Sequence, residues 1–132
     1  MIVGIGIDSV EINRFSQWST YNEKKLLRIF SHEEIEYCLK QKNKSAERFA
    51  ARFAAKEAFF KAFCNAYLAL YVSFLRMCKY ISVHKSAHRP VIVFDWKQIT
   101  AIERQGMFFA CHLSLTHTQT VATAFVLLEQ KK

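Results

Sequence analysis

The sequence is short of glycine, proline and acidic residues, has no apolar run long enough for a membrane, and each shortage excludes something. Three glycines and one proline in 132 residues rule out a low-complexity or collagen-like chain, and 14% aromatic content argues against disorder. Turns must therefore be economical, or a subunit contact must help. The four cysteines (Cys38, Cys64, Cys78, Cys111) stand far apart. They form no C-x-x-C pair and no zinc-ligand spacing, so neither a disulfide framework nor a zinc site is expected. A reduced, cytoplasmic protein fits them best. Residues 62–75 carry no charge but fall short of the roughly 20 positions that span a bilayer. They read as a buried helix end, a connection or a subunit contact, and no membrane anchor is expected. Asp8 interrupts the N-terminal apolar run too early for a secretory signal.

What is present is an excess of positive charge. Nineteen Lys and Arg against eleven Asp and Glu leave +8 at pH 7, which implies an acidic partner: nucleic acid, anionic lipid, a polyphosphate ligand or an acidic protein. Lys40, Lys42 and Lys44 make one local cluster. No nucleic-acid recognition motif, basic helix face or aromatic platform accompanies it. With 52% hydrophobic residues and no linker or repeat, the chain reads as one compact domain over residues 1–132.

Residues 2–8 (IVGIGID) read as a buried strand and residues 11–18 as a helix carrying Arg14. Ser31-His32-Glu33-Glu34 has the form of a capping box and opens a helix toward Lys40. A longer helix is expected over residues 46–63, and another from Asp95 to Gly106. Strands are expected over 80–85, 90–95, 111–117 and 120–128, the last two as a hairpin. Helices and strands mix without regular βαβ alternation, so the fold class is α+β.

Asp8 ends the first strand, and Glu57 and Lys61 lie one turn apart on the long helix. Two carboxylates and a lysine are what a magnesium-dependent phosphoryl-type transfer needs, since the metal takes oxygen ligands and the ammonium offsets phosphate charge. A helical wheel puts Phe49, Phe53, Phe60 and Phe63 on one stripe, alanines opposite, and Arg48, Arg52 and Lys56 on a basic edge. Glu57 and Lys61 fall where the phenylalanine and alanine surfaces meet. The structural alternatives are an ordinary i,i+4 surface pair for Glu57–Lys61 and a helix cap for Asp8.

The run Gly4-Ile5-Gly6-Ile7-Asp8-Ser9-Val10-Glu11-Ile12-x-Arg14, then Arg52-Phe53-Ala54-Ala55-Lys56-Glu57-Ala58-x-x-Lys61-Ala62, then His112-Leu113-Ser114-Leu115-Thr116-His117 resembles the holo-[acyl-carrier-protein] synthases, the small bacterial phosphopantetheinyl transferases. The resemblance covers essentially the whole length. It implies a mainly antiparallel sheet packed on a long central helix, in a trimer with sites between subunits. It also implies transfer of the 4′-phosphopantetheine arm of coenzyme A to a serine of acyl carrier protein, in support of fatty acid biosynthesis. By resemblance Asp8 and Glu57 are magnesium ligands and Lys61 meets the coenzyme A phosphates. His117, Arg52, Phe53, Lys44 and Pro90 are coenzyme-binding, and Arg14 meets the carrier protein. The pattern departs from the family at Cys64-Asn65-Ala66 and at His88, where glycine-containing turns are usual. A nucleic-acid-binding module and a catalytically weak subunit that binds coenzyme A or carrier protein are the competing readings.

Overall fold

The computed structural model describes residues 1–67, 72–95 and 109–130. The helix expected after Asp95 and part of the uncharged 62–75 stretch lie outside the described residues. Strand β1 (Ile2–Glu11) is followed by short helices α1 (Glu23–Leu26) and α2 (His32–Leu39), the long helix α3 (Ser45–Ala66), α4 (Phe74–Cys78), and strands β2 (Ile81–Ser86), β3 (Arg89–Phe94), β4 (Phe109–His117) and β5 (Val121–Gln130). Strands β1, β5 and β4 form a three-stranded antiparallel sheet in that order, and β2 and β3 form a separate antiparallel hairpin. The α+β class and the hairpin of the last two strands are as expected. Among the described residues no helix is long and apolar enough to cross a membrane.

α3 lies across the inner face of the three-stranded sheet, and the alternation of β1 decides how closely. Gly4, Gly6 and Val10 point inward and are buried, while Ile5 and Ile7 point outward and are exposed. A Cβ at Gly4 would overlap the carbonyl oxygen of Ala62, and one at Gly6 that of Ala58. Two glycines therefore let a strand backbone meet a helix backbone directly. The alanine surface of α3 is covered by the chain's own strand.

The helix expected over residues 11–18 is not there. β1 continues to Glu11, and two 3₁₀ turns follow, Ile12–Phe15 and Trp18–Thr20. The reason is tertiary. The Ile12 N–H donates to the Thr120 carbonyl at 2.8 Å, so the strand's pairing runs past the point where a helix would begin. Phe15 is then drawn into a ring cluster with Trp18 and Phe53, and burial of those rings outweighs weak local helix preference. The capping box at Ser31 is present: the Glu34 N–H donates to Ser31 Oγ at 3.2 Å, and the Ser31 N–H donates to Glu34 Oε1 at 2.8 Å.

α3 departs from its wheel in two ways. It runs on through Cys64 and Asn65 to Ala66 instead of stopping near Phe63. Its buried stripe includes Phe49, Arg52, Lys56, Phe59 and Phe63, with Phe60 only half-buried against Phe74. Lys56, expected on a basic edge, is wholly buried. The helix is enclosed on most sides, so no single stripe describes it.

Candidate active site

The inward positions of β1 run Gly4, Gly6, Asp8. Since α3 touches the first two, the third falls beside the helix where Glu57 and Lys61 emerge. Asp8 is no helix cap; it sits within the strand, opposite Ala124 on β5. Lys61 Nζ donates to Asp8 Oδ1 at 3.2 Å and to the Ile7 carbonyl at 3.1 Å. The Lys61 side chain is 52% exposed and that of Asp8 16%, so the pair forms at the margin of the core. Asp8 Oδ2 is buried and accepts no hydrogen bond.

Burial pushes the Glu57 carboxyl above its usual range, and the Asp8 charge pushes it further, while Lys61 and Arg14 pull the other way. Two carboxylates and two cations therefore share one electrostatic neighbourhood. Arg14 is held there by aromatic faces, its guanidinium carbon 5.0 Å from the centroid of Phe53 and 5.6 Å from that of Phe15.

An orphaned buried carboxylate oxygen beside a carboxyl that resists ionisation is a place where a hard cation lowers the energy of both groups. Among the described residues no three His, Cys, Asp or Glu side chains converge. The donor set is two carboxylates, which suits a cation that keeps waters and takes phosphate oxygens from a substrate. The residues fit magnesium on these grounds.

The remaining expected residues lie elsewhere on the chain, and no hydrogen bond or ion pair among those described joins them to Asp8, Glu57 or Lys61. Arg52 is buried, its guanidinium carbon 4.0 Å from the Tyr37 ring centroid and its Nε without a partner. Phe53 is packed among Phe15, Trp18 and Phe74. His117 Nε2 lies 3.1 Å from Glu47 Oε1 on α3. Lys44 ends a 3₁₀ turn just before α3. Pro90 lies on β3 and lines a cleft of about 290 Å³ with Arg89, Cys111 and His112. The β2–β3 turn places Ala87 at φ 50° and His88 at φ 67°. Both residues sit in the left-handed region of a two-residue hairpin that glycine or asparagine fills more easily.

Sequence reasoning missed two groups. Lys56 Nζ lies 2.7 Å from Glu34 Oε1, with both side chains inaccessible to solvent. The signal was present: Lys56 stands seven residues from Phe49 and seven from Phe63, on the apolar stripe itself. A charge in the middle of such a stripe demands a buried counter-charge. The cations around Tyr37 were missed too. Arg48 and Lys85 join Arg52 over its ring at 4.1 and 4.9 Å, and Lys85 and the two arginines draw the phenol below its usual range against the opposing effect of burial.

Comparison with known proteins places the whole chain in one family. Residues 4–126 match the model of the 4′-phosphopantetheinyl transferase superfamily. The chain is 38% identical over 130 residues to a holo-[acyl-carrier-protein] synthase of Treponema denticola, covering 98% of this chain and 99% of that protein. It is 35% identical to the enzyme of the same name from Thermus thermophilus over 132 residues, covering 99% and 96%. Among solved structures, the holo-(acyl-carrier-protein) synthase of Bacillus anthracis in complex with CoA (3′,5′-ADP) superposes with a TM-score of 0.73 at 32% identity, covering 99% of each chain.

Proposed function

This chain belongs to the 4′-phosphopantetheinyl transferase superfamily, and we propose that it moves the 4′-phosphopantetheine arm of coenzyme A onto a serine of apo acyl carrier protein. The second product is 3′,5′-ADP. The reaction supports fatty acid biosynthesis and takes place in the cytoplasm. The observation that carries the reading is the buried, partnerless Asp8 Oδ2 beside Glu57 and Lys61, in a chain similar throughout to holo-[acyl-carrier-protein] synthases.

Asp8 and Glu57 would hold magnesium, which supplies charge neutralisation to a pyrophosphate and polarises its phosphorus. The chain's own groups do the rest. A carboxylate oxygen of Asp8 or Glu57, directly or through one water, accepts the proton of the serine hydroxyl. The serine oxygen bonds to the pantetheine-side phosphorus as that atom's bond to the bridging oxygen breaks. Lys61 exchanges its contact with Asp8 for the phosphate oxygens and steadies or protonates the leaving group. Arg14, spread over Phe53 and Phe15 at the edge of the same site, meets an acidic helix of the carrier protein. The net charge of +8 steers both polyanionic partners inward.

The nucleotide end of coenzyme A falls to Arg52, His117, Lys44 and Pro90, with Phe53 supporting Arg14 from within. Following the family resemblance, we read the site as one shared between subunits of a homotrimer. Ile5, Ile7 and Phe125 stand exposed on the outer face of the sheet, an apolar surface suited to such an assembly.

The test is a mass measurement. Apo acyl carrier protein incubated with this protein, coenzyme A and magnesium should gain one phosphopantetheine. The gain should vanish with a chelator and with Glu57→Ala. Transfer that persists in both controls would remove the metal and Glu57 from the mechanism.

A further inference from the structure

The buried pair on α3 is costly to make and closely specified. Lys56 Nζ donates among four acceptors: the Ile29 carbonyl at 2.6 Å, Glu34 Oε1 at 2.7 Å, the Ile81 carbonyl at 3.2 Å and the Cys78 carbonyl at 3.4 Å. An ammonium has three protons to give, so its capacity is filled. Both oxygens of Glu34 are also engaged, since Oε1 accepts from the Ser31 N–H at 2.8 Å and Oε2 from the Val83 N–H at 3.0 Å. One ion pair thus ties together the segment before α2, α2 itself, α3, the end of α4 and β2.

Stability alone does not explain it. Desolvating two charges offsets most of their attraction, and apolar replacements of buried pairs are often neutral or better. What directed bonds supply and apolar contacts do not is a fixed rotation and height for the helix that carries them. Lys56 is the residue before Glu57. Any shift of the anchor along or about α3 is passed to Glu57 and Lys61, while Asp8 rides on β1 and stays. On the β1 side, Gly4 and Gly6 bring the strand against the Ala62 and Ala58 carbonyls with no room for a Cβ, which sets the closeness of strand and helix but not the rotation or height of α3.

We infer that the Glu34–Lys56 pair is a positioning device for the reaction, setting the rotation and height of α3 so that Glu57 and Lys61 meet Asp8. It touches no substrate. The inference rests on the transferase reading for its kinetic consequence and on geometry alone for its structural one.

Two charge-preserving variants, Glu34→Asp and Lys56→Arg, move the anchor without removing it. Each should lower kcat by about tenfold or more, because a misplacement of about 1 Å in a reacting constellation costs on the order of 10²-fold. The KM for coenzyme A should change less than kcat. Lost stability is separated by repeating both in an Ala87→Asn/His88→Gly background, which relaxes the strained β2–β3 turn and is itself the reference. A positioning role predicts that kcat stays low there; recovery to the reference value would reduce the pair to a structural one and overturn the inference. Crystal structures of the two variants give the reading that needs no activity. Glu57 should be displaced relative to Asp8, and an unmoved Glu57 would overturn the inference whatever the kinetics. Absence of transfer by the unaltered protein would instead defeat the proposed function and leave the crystallographic comparison to decide the anchor.

Discussion

Lys56 and Lys61 stand five residues apart on one helix, each beside a carboxylate, and they do opposite things. Lys56 is wholly buried with its charge matched and every donor engaged. Lys61 is half exposed, holding Asp8 at 3.2 Å and leaving Asp8 Oδ2 without a partner. The glutamates on the two sides of the helix, Glu34 and Glu57, differ in the same sense. Glu34 accepts three hydrogen bonds, whereas Glu57 is held above its usual proton affinity by burial and by Asp8. A satisfied pair specifies structure. An unsatisfied one, at the edge of solvent, retains capacity for a ligand.

The sharpest break in this comparison is Lys56→Met. It leaves Glu34 charged and buried without its partner and strands the Ile29, Cys78 and Ile81 carbonyls. A loss of about 3–5 kcal/mol in denaturant unfolding is expected. A loss under about 1 kcal/mol would mean that Lys56 is no more a structural charge than Lys61.

Lys61→Ala should show the reverse pattern. Transfer activity should fall roughly 10²-fold to 10³-fold, while stability changes by no more than about 1 kcal/mol, as for other partly exposed pairs. Equal effects on folding and turnover would erase the distinction between the two lysines.

The turn background sets the scale of ordinary strain. Ala87→Asn with His88→Gly should stabilise the chain by about 1 kcal/mol, because both positions hold a left-handed conformation that Gly adopts freely and Asn, through local hydrogen bonding, more readily than Ala. Thermal unfolding checks it, and an unchanged midpoint would remove strain from the account.

The smallest effect concerns Glu57 and depends on pH. Its folded carboxyl binds a proton more readily than the ordinary value of 4.5, so above the folded value it costs stability, and below the unfolded value that cost is absent. In metal-free buffer Glu57→Gln should therefore be more stable than the parent near neutral pH. The gain should shrink as pH falls toward 4.5. A gain independent of pH would point to packing instead of charge.

Much of this was legible beforehand, for identifiable reasons. The IVGIGID run, the capping box at Ser31 and the alternation in the last two strands are local patterns whose physics is complete within a few residues, and they appear where expected, although the first strand is buried on one face only, with Ile2, Ile5 and Ile7 exposed. The candidate trio Asp8, Glu57 and Lys61 stood out because the three occur in a recognisable order and spacing, and the structure brings Lys61 to Asp8. The helix expected over residues 11–18 was not borne out. Its sequence permits a helix, but the Thr120 carbonyl and the Phe15–Trp18–Phe53 rings impose a strand and two short turns. The end of α3 was also misjudged, since neither Asn65 nor Cys64 interrupts it.

The sequence by itself determined the α+β class, the main strands, the long helix and the residues with capacity for chemistry. These follow from periodicity, capping and residue type, which act over a few positions. Only the tertiary structure decided that the alanine face of α3 is closed by Gly4 and Gly6, that Lys56 pairs inward with Glu34, and that Asp8 keeps one oxygen free. Each of those outcomes depends on which distant backbone or charge arrives within a few ångströms, because short-range repulsion and desolvation take their values only once the partners are in place.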